Sequence, residues 1–176
     1  MNNDMKTGKE TQANGRIKEQ VGKIIGDKNK DGGQYCPPSL FFITLALTAF
    51  LANFCWESLH GLFYKGHPGM AASDYVPMML SMAAMDTLGI IGLYCFMALA
   101  ARRWLWRLGY YNSLIFFLSG VCSAYAVEYV SIYIMHLWQY APSMPMLFGV
   151  GIFPLLQLSL TGLLSVFIAR HIALER

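Results

Sequence analysis

Four polar residues recur at helical spacing near the end of the first long apolar stretch of the chain: Asn53, Glu57, His60 and Tyr64. At about 100° per residue, all four fall on one stripe of a helix. An acidic side chain is costly in hydrocarbon, so this stripe should face protein or a water-lined interior and not lipid. The spacing therefore predicts a polar site inside a membrane-spanning helix.

Each of the three later apolar stretches carries a strong polar group of its own. Asp86, Glu128 and Gln157 lie about 15 Å from the outer ends of their predicted helices, and Glu57 lies about 10 Å from the end of the first. We predict that the four groups form one layer across the bundle. Three carboxyl groups in an apolar bundle cannot all stay charged unless protons, cations or metals compensate them.

The predicted ligand-binding set joins these groups to their neighbours on the same helix faces: Asn53, Trp56, Glu57, His60, Asp86, Tyr125, Glu128 and Gln157. If the site is catalytic, its acid–base candidates are the ionisable members of that set: Glu57, His60, Asp86 and Glu128. A hydrogen-bond network that only fixes the register of the helices is the competing interpretation, because polar groups often join spans in this way.

Metal binding rests on a second pattern. Met78, Met82 and Met85 follow helical spacing, and with His60 they offer the thioether and imidazole ligands that suit Cu(I). Methionine is also an ordinary packing residue in apolar helices, however. We therefore predict no metal site, with these four residues as the candidates if one exists, and the sequence indicates no particular cofactor.

The composition places most of the chain in a membrane. Of the 176 residues, 56% are hydrophobic and only 13% are charged, whereas a soluble domain needs more charge than this. Residues 1–34 form a short polar segment, and residues 35–176 hold four apolar stretches, each long enough to cross a bilayer core of about 30 Å. The predicted spans are 39–64, 76–101, 113–138 and 147–172. The predicted fold class is all-α, a four-span transmembrane helical bundle with a largely disordered cytoplasmic N-terminal tail.

The polar tail carries a family resemblance. Residues 15–28, Gly-Arg-Ile-Lys-Glu-Gln-Val-Gly-Lys-Ile-Ile-Gly-Asp-Lys, resemble the core motif of the CsbD-like bacterial stress-response family. The similarity covers about residues 4–33, roughly half the usual length of the family. Members are small, polar, helical cytoplasmic proteins, so the resemblance implies a bacterial source and a cytoplasmic tail. It supplies no catalytic residues.

The distribution of positive charge predicts the orientation. Seven Lys and Arg residues lie in the tail, and Arg102, Arg103 and Arg107 lie in the middle connection, whereas the first and third connections together carry only Lys65. The positive-inside rule then places both termini in the cytoplasm. With the bacterial source that the resemblance implies, we expect a multi-pass protein of the inner (cytoplasmic) membrane.

Three functions fit these observations. The first is a small membrane protein that binds a membrane-soluble small molecule or a cation, or relays protons, at the acidic layer. The second is a membrane-embedded acid–base enzyme acting on a lipid or isoprenoid. The third is a stress-linked structural anchor for the tail. The bilayer is the expected partner and a homodimer is left open. A net charge of +3 and the lack of a phosphate-binding loop argue against nucleic acid and nucleotides.

Overall fold

The computed structural model describes residues 38–174. The CsbD-like segment, at about residues 4–33, and the rest of the predicted tail lie outside this range. Four long helices make up most of the described chain: α1 (Pro38–His60), α2 (Ala72–Ala100), α3 (Tyr110–Tyr129) and α4 (Ile152–Leu174). All four are long and apolar enough to cross a membrane. The predicted fold of four long apolar helices is confirmed.

The helix ends differ from the predicted spans where the backbone leaves helical geometry. α3 continues as a wide helical turn over Val130–Ile134 and stops short of the predicted end at residue 138. His136 adopts a positive φ of 53°, which an α-helix cannot accommodate. Before α4, the strands β1 (Met146–Leu147) and β2 (Val150–Gly151) pair as a short hairpin, so this helix begins five residues after the expected residue 147.

The helices pack in the spatial order α2, α1, α4, α3. α1 lies against both α2 and α4, and α3 lies against α4, whereas α2 makes few contacts with either α3 or α4. At Gly120, α3 approaches α4 so closely that an added Cβ would lie 3.1 Å from the Cα of Ser159. The Ser159 hydroxyl donates to the carbonyl of Phe117 at 2.7 Å. The bundle is therefore tight between α3 and α4 and open between α2 and α3.

The connection between α2 and α3 closes one end of the bundle. Trp106 is only 1% exposed and packs between the rings of Tyr94 and Phe116, with centroid distances of 5.6 Å and 6.1 Å. The Tyr94 hydroxyl donates to the carbonyl of Trp104 at 2.7 Å, and the guanidinium of Arg170 donates to the carbonyl of Trp106. These contacts satisfy backbone groups of the connection inside the protein, as an apolar environment requires.

Candidate intramembrane binding site

Three residues of the predicted polar stripe, Asn53, Glu57 and His60, lie on α1 and face the interior of the bundle, whereas Tyr64 follows the end of the helix in extended backbone and was wrongly placed on it. Asn53 is fully buried, and its amide donates to the carbonyl of Ala49 at 2.9 Å. Its side-chain oxygen accepts from the Thr161 hydroxyl at 2.9 Å and from the Gln157 amide at 3.2 Å, both on α4. One turn further along α1, the side chain of Glu57 points toward the same part of α4. The spacing of four residues on one helix face produces this alignment.

Gln157 joins three helices through one nitrogen. Its Nε2 donates to Glu57 of α1 at 2.8 Å and to Asp86 of α2 at 2.5 Å, in addition to Asn53. An amide nitrogen carries two hydrogens, so three oxygens compete for two donors. The carboxyl groups of Glu57 and Asp86 thus meet at the same amide nitrogen, and two carboxyl groups this close cannot both stay charged without a proton or cation between them. We call Asn53, Glu57, Asp86, Gln157 and Thr161 the amide cluster.

His60 lies beside the amide cluster and is 4% exposed. Its Nδ1 lies 3.0 Å from the carbonyl of Trp56, which can only accept, so Nδ1 carries a hydrogen. Its Nε2 lies 3.9 Å from a carboxyl oxygen of Glu57. That separation allows an ion pair when the ring is protonated, although it is too long for a direct hydrogen bond. The ring is therefore oriented with its free nitrogen toward Glu57.

Glu128 of α3 has a different environment. Its two oxygens accept from three donors, the Tyr64 hydroxyl at 3.4 Å, the Trp138 ring nitrogen at 3.3 Å and the Tyr140 hydroxyl at 2.5 Å. We call these three residues the donor cage. The Trp138 ring nitrogen can only donate, and the two phenol hydroxyls are oriented to donate, so both oxygens of Glu128 receive hydrogen bonds. The donor cage thus suits an ionised carboxylate.

The two tyrosines of the donor cage remain neutral at ordinary pH. Burial raises the pKa of the Tyr64 phenol, and the nearby charge of Glu128 raises it further. Burial also raises the pKa of Tyr140, and its hydrogen bond to Glu128 acts in the same direction. Both hydroxyls therefore keep the hydrogen that they donate to Glu128.

The connections after α1 and before α4 position the donor cage. The N–H of Lys65 donates to the carbonyl of Gln139 at 2.9 Å, and the N–H of Ala141 donates to the carbonyl of Phe63 at 2.7 Å. These bonds pair the two segments at a single antiparallel bridge between Tyr64 and Tyr140. The wide turn after α3 reverses the chain, which returns Trp138 and Tyr140 to Glu128, ten and twelve residues earlier.

The amide cluster and the donor cage border the same cavity. Its volume is about 510 Å³, and Glu57, Asp86, Glu128 and Gln157 are among its lining residues. The remaining walls are mostly apolar. Methionines of α2 supply much of one wall, and His67 and Trp138 lie at the end where the connections cross. Within residues 38–174, no Lys or Arg side chain lines this cavity.

The predicted site residues fall into three groups. Glu57, Asp86, Glu128 and Gln157 line the cavity, and the Gln157 amide donates to both Glu57 and Asp86. Asn53 and His60 lie directly behind them. Two predicted members are elsewhere: the Trp56 ring nitrogen has no partner in the described chain, and the Tyr125 hydroxyl donates to the carbonyl of Phe148 at 3.4 Å. Neither lines the cavity, because their positions on α1 and α3 face away from it.

The predicted layer of four polar groups is thus divided in two. Glu128 is bound by the donor cage and not by the Gln157 amide. Three residues of the site were not predicted from the sequence: Trp138 and Tyr140, which bind Glu128, and Thr161, which binds Asn53. Thr161 lies one turn after Gln157, and this spacing could have identified it. The two aromatic residues reach Glu128 through a chain reversal that helical periodicity does not indicate.

The structure shows where the candidate metal ligands lie. Met78, Met82 and Met85 all line the cavity, together with Met79, whereas His60 does not. Among the described residues, no group of three or more His, Cys, Asp and Glu side chains is arranged to hold a metal ion. The methionines of α2 form an apolar wall whose unbranched, polarisable side chains can adapt to the shape of a ligand.

Comparison of the chain with protein-family models, with curated proteins and with solved structures finds no match. Fold and site therefore define the class of protein by themselves. The four apolar helices indicate a multi-pass membrane protein in contact with lipid. Its interior holds buried polar contacts around Glu128 and His60.

Proposed function

We propose that the protein binds a membrane-soluble organic cation in the cavity between α2 and α3. The observation that carries this proposal is that three acidic side chains from three helices, Glu57, Asp86 and Glu128, line one apolar cavity that no Lys or Arg of the described chain enters. A buried negative charge needs a compensating cation or proton. An ammonium group can both neutralise charge and donate to the oxygens that compete for Gln157.

Glu128 and the Glu57–Asp86 pair have separate roles in ligand binding. Glu128 supplies a carboxyl group whose ionised form is stabilised by the three neutral donors of the donor cage. The Glu57–Asp86 pair supplies an exchangeable position: a shared proton holds the two carboxyl groups together without ligand, and an ammonium group replaces that proton on binding. His60, with its Nε2 toward Glu57, is placed to receive the displaced proton.

The proposal includes a location. We infer a multi-pass protein of the bacterial inner membrane with both termini in the cytoplasm, supported by Arg102, Arg103 and Arg107 in the middle connection. The cavity then opens in the outer half of the membrane. The CsbD-like resemblance supports the bacterial source, and a stress-linked role for the tail remains part of the proposal.

Binding of a simple lipophilic amine tests this function. Dodecylammonium and dodecanol have the same chain and differ in charge, so we expect the full chain in neutral-lipid nanodiscs to bind the amine at least tenfold more tightly, as measured by thermal stabilisation. The double variant Glu57→Gln/Asp86→Asn should lose this preference because both carboxyl groups become neutral. Asp74→Asn removes an exposed acid of α2 outside the cavity and should keep it. A double variant that prefers the amine as strongly as the wild-type chain would overturn the proposal, because only Glu128 would then be left to attract the ammonium group.

A second function is favoured by the His60–Glu57 geometry. Because Nδ1 of His60 keeps its hydrogen on a backbone carbonyl, the unprotonated Nε2 faces Glu57 and can take up its proton and give it back once the 3.9 Å separation shortens, as an acid–base enzyme acting on a lipid requires. An enzyme would change the lipid composition of cells that overproduce it, and Glu57→Gln should cancel that change. Mass spectrometry of extracted lipids distinguishes the two functions, because a binding protein leaves the lipid profile unchanged.

A further inference from the structure

The cavity continues along the membrane into a second cleft. This cleft has a volume of about 550 Å³ and lies between the same two helices, α2 and α3. Gly89, Val127 and Leu158 line both spaces, so the cleft begins where the cavity ends. Its far end is at Phe96, ten residues beyond Asp86 on α2, which corresponds to about 15 Å along the helix.

The walls of the cleft are built from small residues that leave the space unfilled. Gly92 of α2 has no atom within 4 Å of the position that a Cβ would take. On α3, Ser119, Cys122 and Ser123 line the opposite wall. Small residues in membrane helices usually let two helices approach each other, yet α2 and α3 make few contacts here. The space between them is therefore available to another apolar group.

The cleft opens toward the lipid. Val127, at the junction of the two spaces, is 58% exposed, and Phe96, at the far end, is 56% exposed. Because these residues belong to helices that span the membrane, their exposed surfaces face hydrocarbon. A molecule dissolved in the bilayer can thus reach the cleft sideways without crossing the polar connections.

We propose that the cleft between α2 and α3 holds the hydrocarbon chain of the same ligand whose cationic group lies at Glu57 and Asp86. This inference rests on the proposed function and narrows the ligand class to an amphiphile with one long chain and a terminal ammonium group, entering sideways from the bilayer. Two features support this occupant: the continuity of the cleft with the acidic cavity, and the match of polar and apolar ends to the two spaces.

Fluorescence quenching locates the chain. Phe96→Trp places an indole at the far end of the cleft, and Leu88→Trp is the matched control, because Leu88 is an exposed residue of α2 that lines neither space. The probe is dodecylammonium with bromine on its last carbon, added at low mole fraction to vesicles of neutral phosphatidylcholine. We expect saturable quenching of Phe96→Trp, at least threefold stronger than that of Leu88→Trp.

Two further outcomes separate this inference from the proposed function. Equal quenching of the two tryptophans means that the hydrocarbon chain of the amine is dissolved in bulk lipid, which overturns the cleft proposal. Binding of the ammonium group is then tested separately by the carboxyl variants. Quenching of Phe96→Trp that persists in Glu57→Gln/Asp86→Asn means that chains enter without the acidic anchor, which overturns the single-ligand assignment and the proposed function together.

A steric variant gives an independent measure. Gly92→Leu fills the cleft at a position with open space, whereas Ala84→Leu adds the same side chain to an exposed position of α2 outside both spaces. We expect Gly92→Leu to weaken dodecylammonium binding at least tenfold and Ala84→Leu to leave it within twofold. Unchanged binding in Gly92→Leu would contradict the proposed path of the chain.

Discussion

The two acidic regions of the cavity differ in how their oxygens are satisfied. Glu128 has three donors for two oxygens, whereas Glu57 and Asp86 share the single amide nitrogen of Gln157. The first arrangement stabilises a fixed charge, and the second leaves acceptors free for another donor. The difference indicates two kinds of carboxyl group inside a membrane: one whose oxygens all receive hydrogen bonds from the protein, and one whose oxygens still need a donor from a ligand.

The largest loss of stability is expected from a substitution of Gln157, whose amide donates to three members of the amide cluster. Gln157→Leu removes the donor shared by Asn53, Glu57 and Asp86, so we expect the free energy of unfolding to fall by about 3 kcal/mol. SDS titration in mixed micelles measures this change. Gln139→Leu is the control, because Gln139 is exposed and its side chain accepts only from Lys65, and it should cost less than about 0.5 kcal/mol. Similar losses in both variants would show that the cluster does not depend on this amide.

A change from Glu to Gln at the donor cage should also destabilise the protein. Glu128→Gln replaces a carboxylate by a neutral amide and brings an NH₂ group toward three donors, which should cost about 2 kcal/mol in the same titration. The substitution preserves the shape of the side chain, so a loss of stability reports the change in charge and in donors alone. A neutral or stabilising result would mean that Glu128 is already protonated.

The same change from Glu to Gln in the amide cluster should have the opposite effect on the free energy of unfolding. Glu57→Gln adds two donors to a group of oxygens that has too few, so we expect the free energy of unfolding to rise by about 1 kcal/mol while amine binding falls. Matched SDS titrations of Glu57→Gln and Glu128→Gln test this directly. If both variants lose the same free energy of unfolding, the two acidic regions do not differ in how fully their oxygens are hydrogen-bonded.

The sequence predicted the amide cluster better than the donor cage for a physical reason. Asn53, Glu57 and Gln157 lie within regular helices, where a period of 3.6 residues determines which side chains share a face. The partners of Glu128 come from connections, whose direction depends on a wide turn and on positive φ at His136. No periodic pattern describes such a reversal. The four apolar helices could be predicted from the length and composition of the apolar stretches alone. The opening between α2 and α3 could not, because small residues allow two helices either to pack closely or to leave a space between them.

The smallest expected effect comes from the phenols of the donor cage at high pH. Burial raises the folded-state pKa values of Tyr64 and Tyr140 above the unfolded value of about 10, and Glu128 raises them further, by its charge at Tyr64 and by its hydrogen bond at Tyr140. The folded state thus binds these protons more tightly, so this stabilisation is fully present below pH 10 and is lost as the pH rises further. At pH 10 the loss is about 0.4 kcal/mol for each phenol. Thermal unfolding between pH 8 and 11 should show a steeper decline for the wild-type chain than for Tyr64→Phe/Tyr140→Phe, and parallel profiles would mean that these hydroxyls are not held as donors to a charged Glu128.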